Sequence, residues 1–143
     1  MFLHFDDIDH AGHEFGYGTG IPQYVAALRK VDAEVGTVLS AIHNRRNHAN
    51  EQWLVLVTTD HGGIGMEHGG QSAGERIIFI IASGGGVAHR VISPGPGQTA
   101  IAPTVFAYLD IPIHPEWGWE SKPFGLAASA AKSPQAVNVE ARP

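Results

Sequence analysis

"IPQYVAALRKVDAEVGTVLSAIHNRRNHANEQWLVLVTT", residues 21–59, decides the fold. Tyr24, Val25, Leu28, Val31, Val35, Val38, Leu39 and Ile42 recur at three- and four-residue steps, which predicts one long helix with a single apolar stripe. Pro22 suits its first turn, and the partly basic "HNRRNH" complements the negative end of the helix dipole. The nearly all-apolar "QWLVLVTT" then reads as a short strand covered on both faces. Upstream, "MFLHFDD" is apolar at positions 1, 2, 3 and 5 with no turn signal, so a first strand is expected there. Strand, helix and strand make a βαβ unit.

Downstream, "RIIFIIA", residues 76–82, predicts another buried strand, and "VAHRVIS", residues 87–93, a short edge strand. "TAIAPTVFAYLDI", residues 99–111, reads as a helix with Thr99 as N-cap and Pro103 near its start. From Ala127 the Ala-, Ser- and Pro-rich sequence shows no core pattern and is expected to be a flexible tail. The expected class is α/β, a mostly parallel sheet flanked by helices. A core strand beginning at residue 2 has no surface lead-in, and residues 1–126 are therefore expected to be the C-terminal portion of a larger domain.

Composition narrows the function. A chain of 143 residues fits one domain, and 43% apolar with 16% charged residues is globular rather than disordered. No apolar run reaches the roughly 18 residues of a membrane span, and the first residues lack the basic start of a signal peptide. A net charge of −5 without a Lys/Arg cluster argues against nucleic acid and anionic membranes as partners. With no Cys and nine His, any metal must be held by imidazole and carboxylate.

The chemistry-bearing residues fall in two clusters, "DDIDHAGH" after the first expected strand and "DHGGIGMEH" after the second. Ligands of open α/β sheets collect outside the carboxyl ends of the strands, so βαβ geometry would bring the two loops to one edge. Asp9 and His13 can fold onto one ion if the segment makes a single turn, and His68 could complete the set from the second loop. Asp60 and His61 can converge on a second ion where the strand bends into Gly62-Gly63. Carboxylate and imidazole without thiolate suit zinc or another first-row divalent ion, and two ions roughly 4 Å apart would clamp a phosphoryl group. An Asp-His pair at a strand end also serves commonly as a loop cap. Asp6 and His10 show the same four-residue offset as Asp9 and His13, and spacing alone leaves the two registers open.

The glycine-rich "SGGGVAH" and "SPGPGQT" lack the Lys-Ser/Thr ending of a phosphate-cradling loop and read as turns. His43, His48, His89 and His114 read as surface or loop residues, Trp117 and Trp119 as packing residues, and Arg29 and Lys30 as a solvated helix face.

The order of "DHAGHEFGYG", "PQYVAALRKVDAEVGTVLSAI", "LVLVTTDHGG", "EHGG" and "IAPTVFAYLDI" resembles the alkaline phosphatase superfamily, most of all its type I phosphodiesterase/nucleotide pyrophosphatase branch, over about residues 2 to 125. The resemblance implies two divalent metal ions, zinc with manganese as the alternative. Its Asp-x-x-Gly-His motif, here Asp9 to His13, gives an aspartate and a histidine to one ion, and His68 joins them; Asp60 and His61 go to the other. It implies a small phosphate-ester substrate and in-line attack on phosphorus through a covalent phospho-enzyme. The family's Ser or Thr nucleophile and an additional aspartate have no matching position here. They are expected in a missing N-terminal half of the same domain, and the chain alone would then catalyse little.

Two other readings are a non-catalytic metal-binding remnant and a phosphomutase or sulfatase of the same superfamily. A mutase would carry an inserted domain between the nucleophile and these residues, and the short stretch between the two clusters leaves no room for one at that point.

Overall fold

The computed structural model describes residues 1–127, so the tail expected from Ala127 lies, from residue 128, outside the described residues. These form two compact units, one of Met1–Glu51 with Thr59–Phe79, the other of Gln52–Thr58 with the chain from Ile80 onward.

In the first unit, helix α1 spans Asp7–Phe15 and helix α2 spans Pro22–His43. α2 is the helix predicted from the apolar periodicity, with Pro22 in its first turn and the Asn44 amide donating to the Ser40 carbonyl at its end. α2 packs on α1, where Ala11 and Val31 are each 9% exposed, while Leu28 and Leu39 of its stripe remain exposed. Lys30 is exposed, as expected of a solvated face, and from there donates to Asp7 Oδ1 at 2.8 Å, tying the two helices together at their rim. "DDIDHAGH" is thus helical rather than a loop. The first strand does not form: residues 1–6 have no regular structure, and Met1 and Phe2 are 94% and 87% exposed. Apolar side chains make a strand only where a neighbouring strand takes up the backbone N–H and C=O groups, and none of the described residues does so. A four-residue helix, α3, covers Ala73–Arg76.

In the second unit, β1 (Leu54–Thr58) pairs with β2 (Ile80–Gly84) in a two-stranded antiparallel sheet, in register from Leu54↔Gly84 to Thr58↔Ile80. The mixed helix-and-sheet content agrees with the α/β expectation, but the parallel sheet is corrected. A parallel pair requires a crossover returning the chain to the starting end, whereas residues 59–79 hold only the single-turn α3 and bring the chain back in the opposite direction. "RIIFIIA" forms a strand only from Ile80, and Ile77, Phe79 and Ile81 are 68%, 46% and 56% exposed, so it is not the fully covered run expected. "VAHRVIS" is no edge strand: it contributes a single bridge, Val87 to Leu126, and Val91 is fully open.

Helix α4, Ile101–Tyr108, follows a 3-10 turn at Gln98–Ala100. Thr99 lies in that turn and bonds Ser121 through its hydroxyl at 2.6 Å rather than capping the helix. α4 packs on β1. Thr104, fully buried, donates to the Ala100 carbonyl at 2.7 Å and accepts the Phe124 amide at 3.1 Å, which fixes the chain after the tryptophans onto the helix. Trp117 and Trp119 pack edge-on against Phe106, as expected of packing residues. No helix among the described residues is long and apolar enough to cross a membrane.

Candidate metal centre

Every residue of the two sequence clusters lies in the first unit. Because α1 is helical, Asp9 and His13 occupy successive turns of one face, with His13 Nε2 3.6 Å from Asp9 Oδ2. The rival pair is not at the centre: Asp6 turns to His4, and His10 is exposed. After β1 the chain runs through Asp60, His61 and two glycines into a tight reversal in which Ile64 and Glu67 exchange both backbone hydrogen bonds. That reversal delivers His68, whose Nε2 is 3.5 Å from Asp9 Oδ1. The donor atoms of Asp9, His13 and His68 all lie within 4.8 Å of one another. Tetrahedral zinc with nitrogen and oxygen ligands at roughly 2.0–2.1 Å requires donors about 3.4 Å apart. Asp9 Oδ2 is already near that separation from His13 and Oδ1 from His68, so a small adjustment of the three side chains lets the cluster fit such an ion.

His61 stacks on His68 with ring centroids 3.8 Å apart and an interplanar angle of 20°, and its Nε2 is 3.8 Å from Asp9 Oδ1 and 3.7 Å from Asp60 Oδ2. Asp60 is the most open of the five, with its carboxylate accepting the His61 amide at 3.1 Å. All five residues therefore form one connected group, with Asp9, His13 and His68 as its compact part.

Two imidazoles are anchored through Nδ1. His13 Nδ1 is 2.9 Å from the Met66 carbonyl and His61 Nδ1 2.9 Å from the Gly62 carbonyl. A carbonyl only accepts, so Nδ1 donates in both rings, and each ring turns its Nε2 toward Asp9. Asp9 is held below the ordinary carboxyl range: partial burial works against ionisation, but the Tyr17 hydroxyl bond and the neighbouring His13, His68 and His61 outweigh it. Asp9 is thus an anion at neutral pH.

A family model for type I phosphodiesterase / nucleotide pyrophosphatase matches residues 1–82, more than half of the chain and all of this cluster. The chain belongs to that family. The match agrees with the resemblance read from the motifs and makes the chain a member of a phosphodiesterase- and pyrophosphatase-type hydrolase family. No curated protein and no solved structure matches the chain.

The structure of this family member also shows two residues the motifs do not single out. Tyr17 lies against Asp9, His13 and His68 and hydrogen-bonds the Asp9 carboxylate; nothing in its spacing marks it. Glu75 ties together the two ends of the segment that carries His61 and His68. Its backbone carbonyl accepts the Gly62 amide at 2.8 Å, while its carboxylate accepts from Gly70 N at 2.8 Å, Ser72 N at 3.1 Å and Ser72 Oγ at 2.5 Å. The pattern Ser72-x-x-Glu75 is a capping box and was a usable signal.

The Ser72 hydroxyl, then the Gly70 and Ser72 amides, hold the Glu75 carboxyl below its usual range. A carboxyl depressed in the folded state contributes stability above its unfolded pKa, near 4.3, and loses it as pH falls through the lower folded value. Amide hydrogen exchange is therefore expected to show Gly70 and Ser72 protected at neutral pH, still protected at about pH 4.3, and open only at lower pH. Glu75→Ala should remove that protection throughout. Protection that survives in Glu75→Ala would mean the carboxylate does not hold the loop.

Proposed function

We propose that this chain carries the divalent-metal centre of a phosphoric ester hydrolase of phosphodiesterase or nucleotide pyrophosphatase type. Asp9, His13 and His68 hold one ion, and Asp60 and His61 contribute to a second. The supporting observation is the anchoring of His13 and His61 through Nδ1 to backbone carbonyls, which turns both Nε2 atoms toward an ionised carboxylate. A backbone carbonyl on the far nitrogen is the usual partner of a metal-ligating histidine. Zinc is the ion this donor set favours, with manganese the alternative. Bound there, divalent ions supply Lewis-acid charge to a phosphoryl group and to the oxygen that attacks it.

The residues themselves bind and orient. Asp9 brings the negative charge, the histidines bring nitrogen donors turned inward, and the Glu75 network braces the segment that carries His61 and His68. None of the five is assigned as nucleophile; their role is to place a small phosphate ester, whose negative charge the bound ions attract.

The test is metal uptake by the whole chain, stripped with chelator and titrated with Zn2+ and Mn2+, followed by hydrolysis of bis(p-nitrophenyl) phosphate. One tightly held zinc per chain is expected, with a second held more weakly, and any hydrolysis should vanish on chelation. A chain that takes up neither ion overturns the proposal.

A further inference from the structure

We propose that Tyr17 is a positioning residue for the metal centre, setting the orientation of the Asp9 carboxylate and joining α1 to the loop that bears His61. The role rests on the reading of Asp9, His13 and His68 as an ion site. Its own grounds are geometric. The Tyr17 hydroxyl donates a short hydrogen bond to Asp9 Oδ1. Its ring meets His13 edge-on at 5.7 Å and 81°, and His68 edge-on at 6.2 Å and 87°. Its backbone is fixed as well, since Tyr17 N donates to the Gly65 carbonyl at 2.7 Å, inside the reversal that delivers His68.

The ring lies in a slot between two glycines. A Cβ added at Gly12 of α1 or at Gly63 of the second loop would run into its atoms. The slot therefore exists only because both residues lack side chains, and it fixes the ring from two sides. With the ring fixed, the hydroxyl has one place to go.

A half-buried aspartate without that bond would sample several rotamers, each presenting its two oxygens differently. The Tyr17 bond selects the one in which Oδ1 faces His68 and His61 while Oδ2 faces His13. Outer partners of this kind typically change metal affinity by about 10–100-fold when removed.

The experiment compares the wild-type chain, Tyr17→Phe and Tyr24→Phe for Co2+ and Zn2+ affinity by chelator competition, together with the visible absorption spectrum of the Co2+ form. Tyr17→Phe keeps the ring in its slot and deletes only the hydroxyl. Tyr24→Phe deletes the hydroxyl of the neighbouring ring, 5.8 Å away by centroid, and controls for general effects on the aromatic cluster. Tyr17→Phe is expected to weaken binding by about 10–100-fold and to alter the Co2+ bands, with unchanged far-ultraviolet circular dichroism; Tyr24→Phe should behave as wild type. Wild-type affinity and spectrum in Tyr17→Phe, or equal losses in both variants, overturn the positioning role while leaving the ion site standing. A wild-type chain that binds neither ion overturns both.

Discussion

Asp9→Ala is expected to weaken zinc binding by more than about 100-fold, a larger loss than removing an outer partner of the site would cause. Asp9 is where the centre's contacts converge: one oxygen faces His13, the other faces His68 and His61, and Tyr17 is bonded to it. It is also the one anion in the three-donor cluster, so its removal takes away both a ligand and the charge that offsets the ion's desolvation. Asp60→Ala makes the informative comparison. Its carboxylate is 63% exposed and lies outside the three-donor cluster, so the first equivalent of zinc should bind nearly as in wild type while the second weakens. Chelator competition at fixed pH measures both. Tight first-site binding in Asp9→Ala, together with its loss in Asp60→Ala, would move the principal ion to the strand end.

Gly63→Ala is expected to destabilise the unit that carries the centre. The added methyl points into the Tyr17 ring, and the ring cannot retreat because Gly12 closes the other side of the slot. Overpacking of this kind costs about 1–3 kcal/mol, measurable as a lowered denaturant midpoint. Gly12→Ala meets the same ring, but within α1 it also gains helix propensity of up to about 1 kcal/mol, so its net loss should be smaller. Combining Gly63→Ala with Tyr17→Ala separates steric conflict from backbone strain. If the ring is the obstacle, the double variant loses less than the sum of the singles. Strict additivity would place the damage elsewhere.

What could be read from the sequence followed from the range of each signal. The long amphipathic stretch of α2 fixes its own conformation through local periodicity, and the helix forms where expected, as does β1. Strand direction depends on how distant segments meet, and apolar content does not encode it. Thus "MFLHFDD" has the composition of a strand but no partner among the described residues, and β2 pairs antiparallel to β1. The two clusters do meet, though not by the expected route: a helix and a glycine-rich reversal bring them together, not the edge of a parallel sheet. The i, i+4 offset made Asp9 and His13 candidates, but Asp6 and His10 share it, and the resemblance to the family motif chose between the two registers. Tyr17 was not a candidate, because its importance arises from a slot whose walls are separated by α2 and β1 in the chain.

The bond from His13 to the Met66 carbonyl joins positions 53 residues apart in the chain. Closing a loop of that size costs several kcal/mol of chain entropy before any contact compensates for it, and the enclosed segment contains the whole of α2 and β1. The donor cluster is therefore expected to form late in folding, after the elements inside the loop have taken shape. An ion that recognises only the finished cluster would find little to bind in the folding transition state. Its effect would fall on the rate at which the native unit opens, making the bound form slow to unfold without making the empty chain quick to fold.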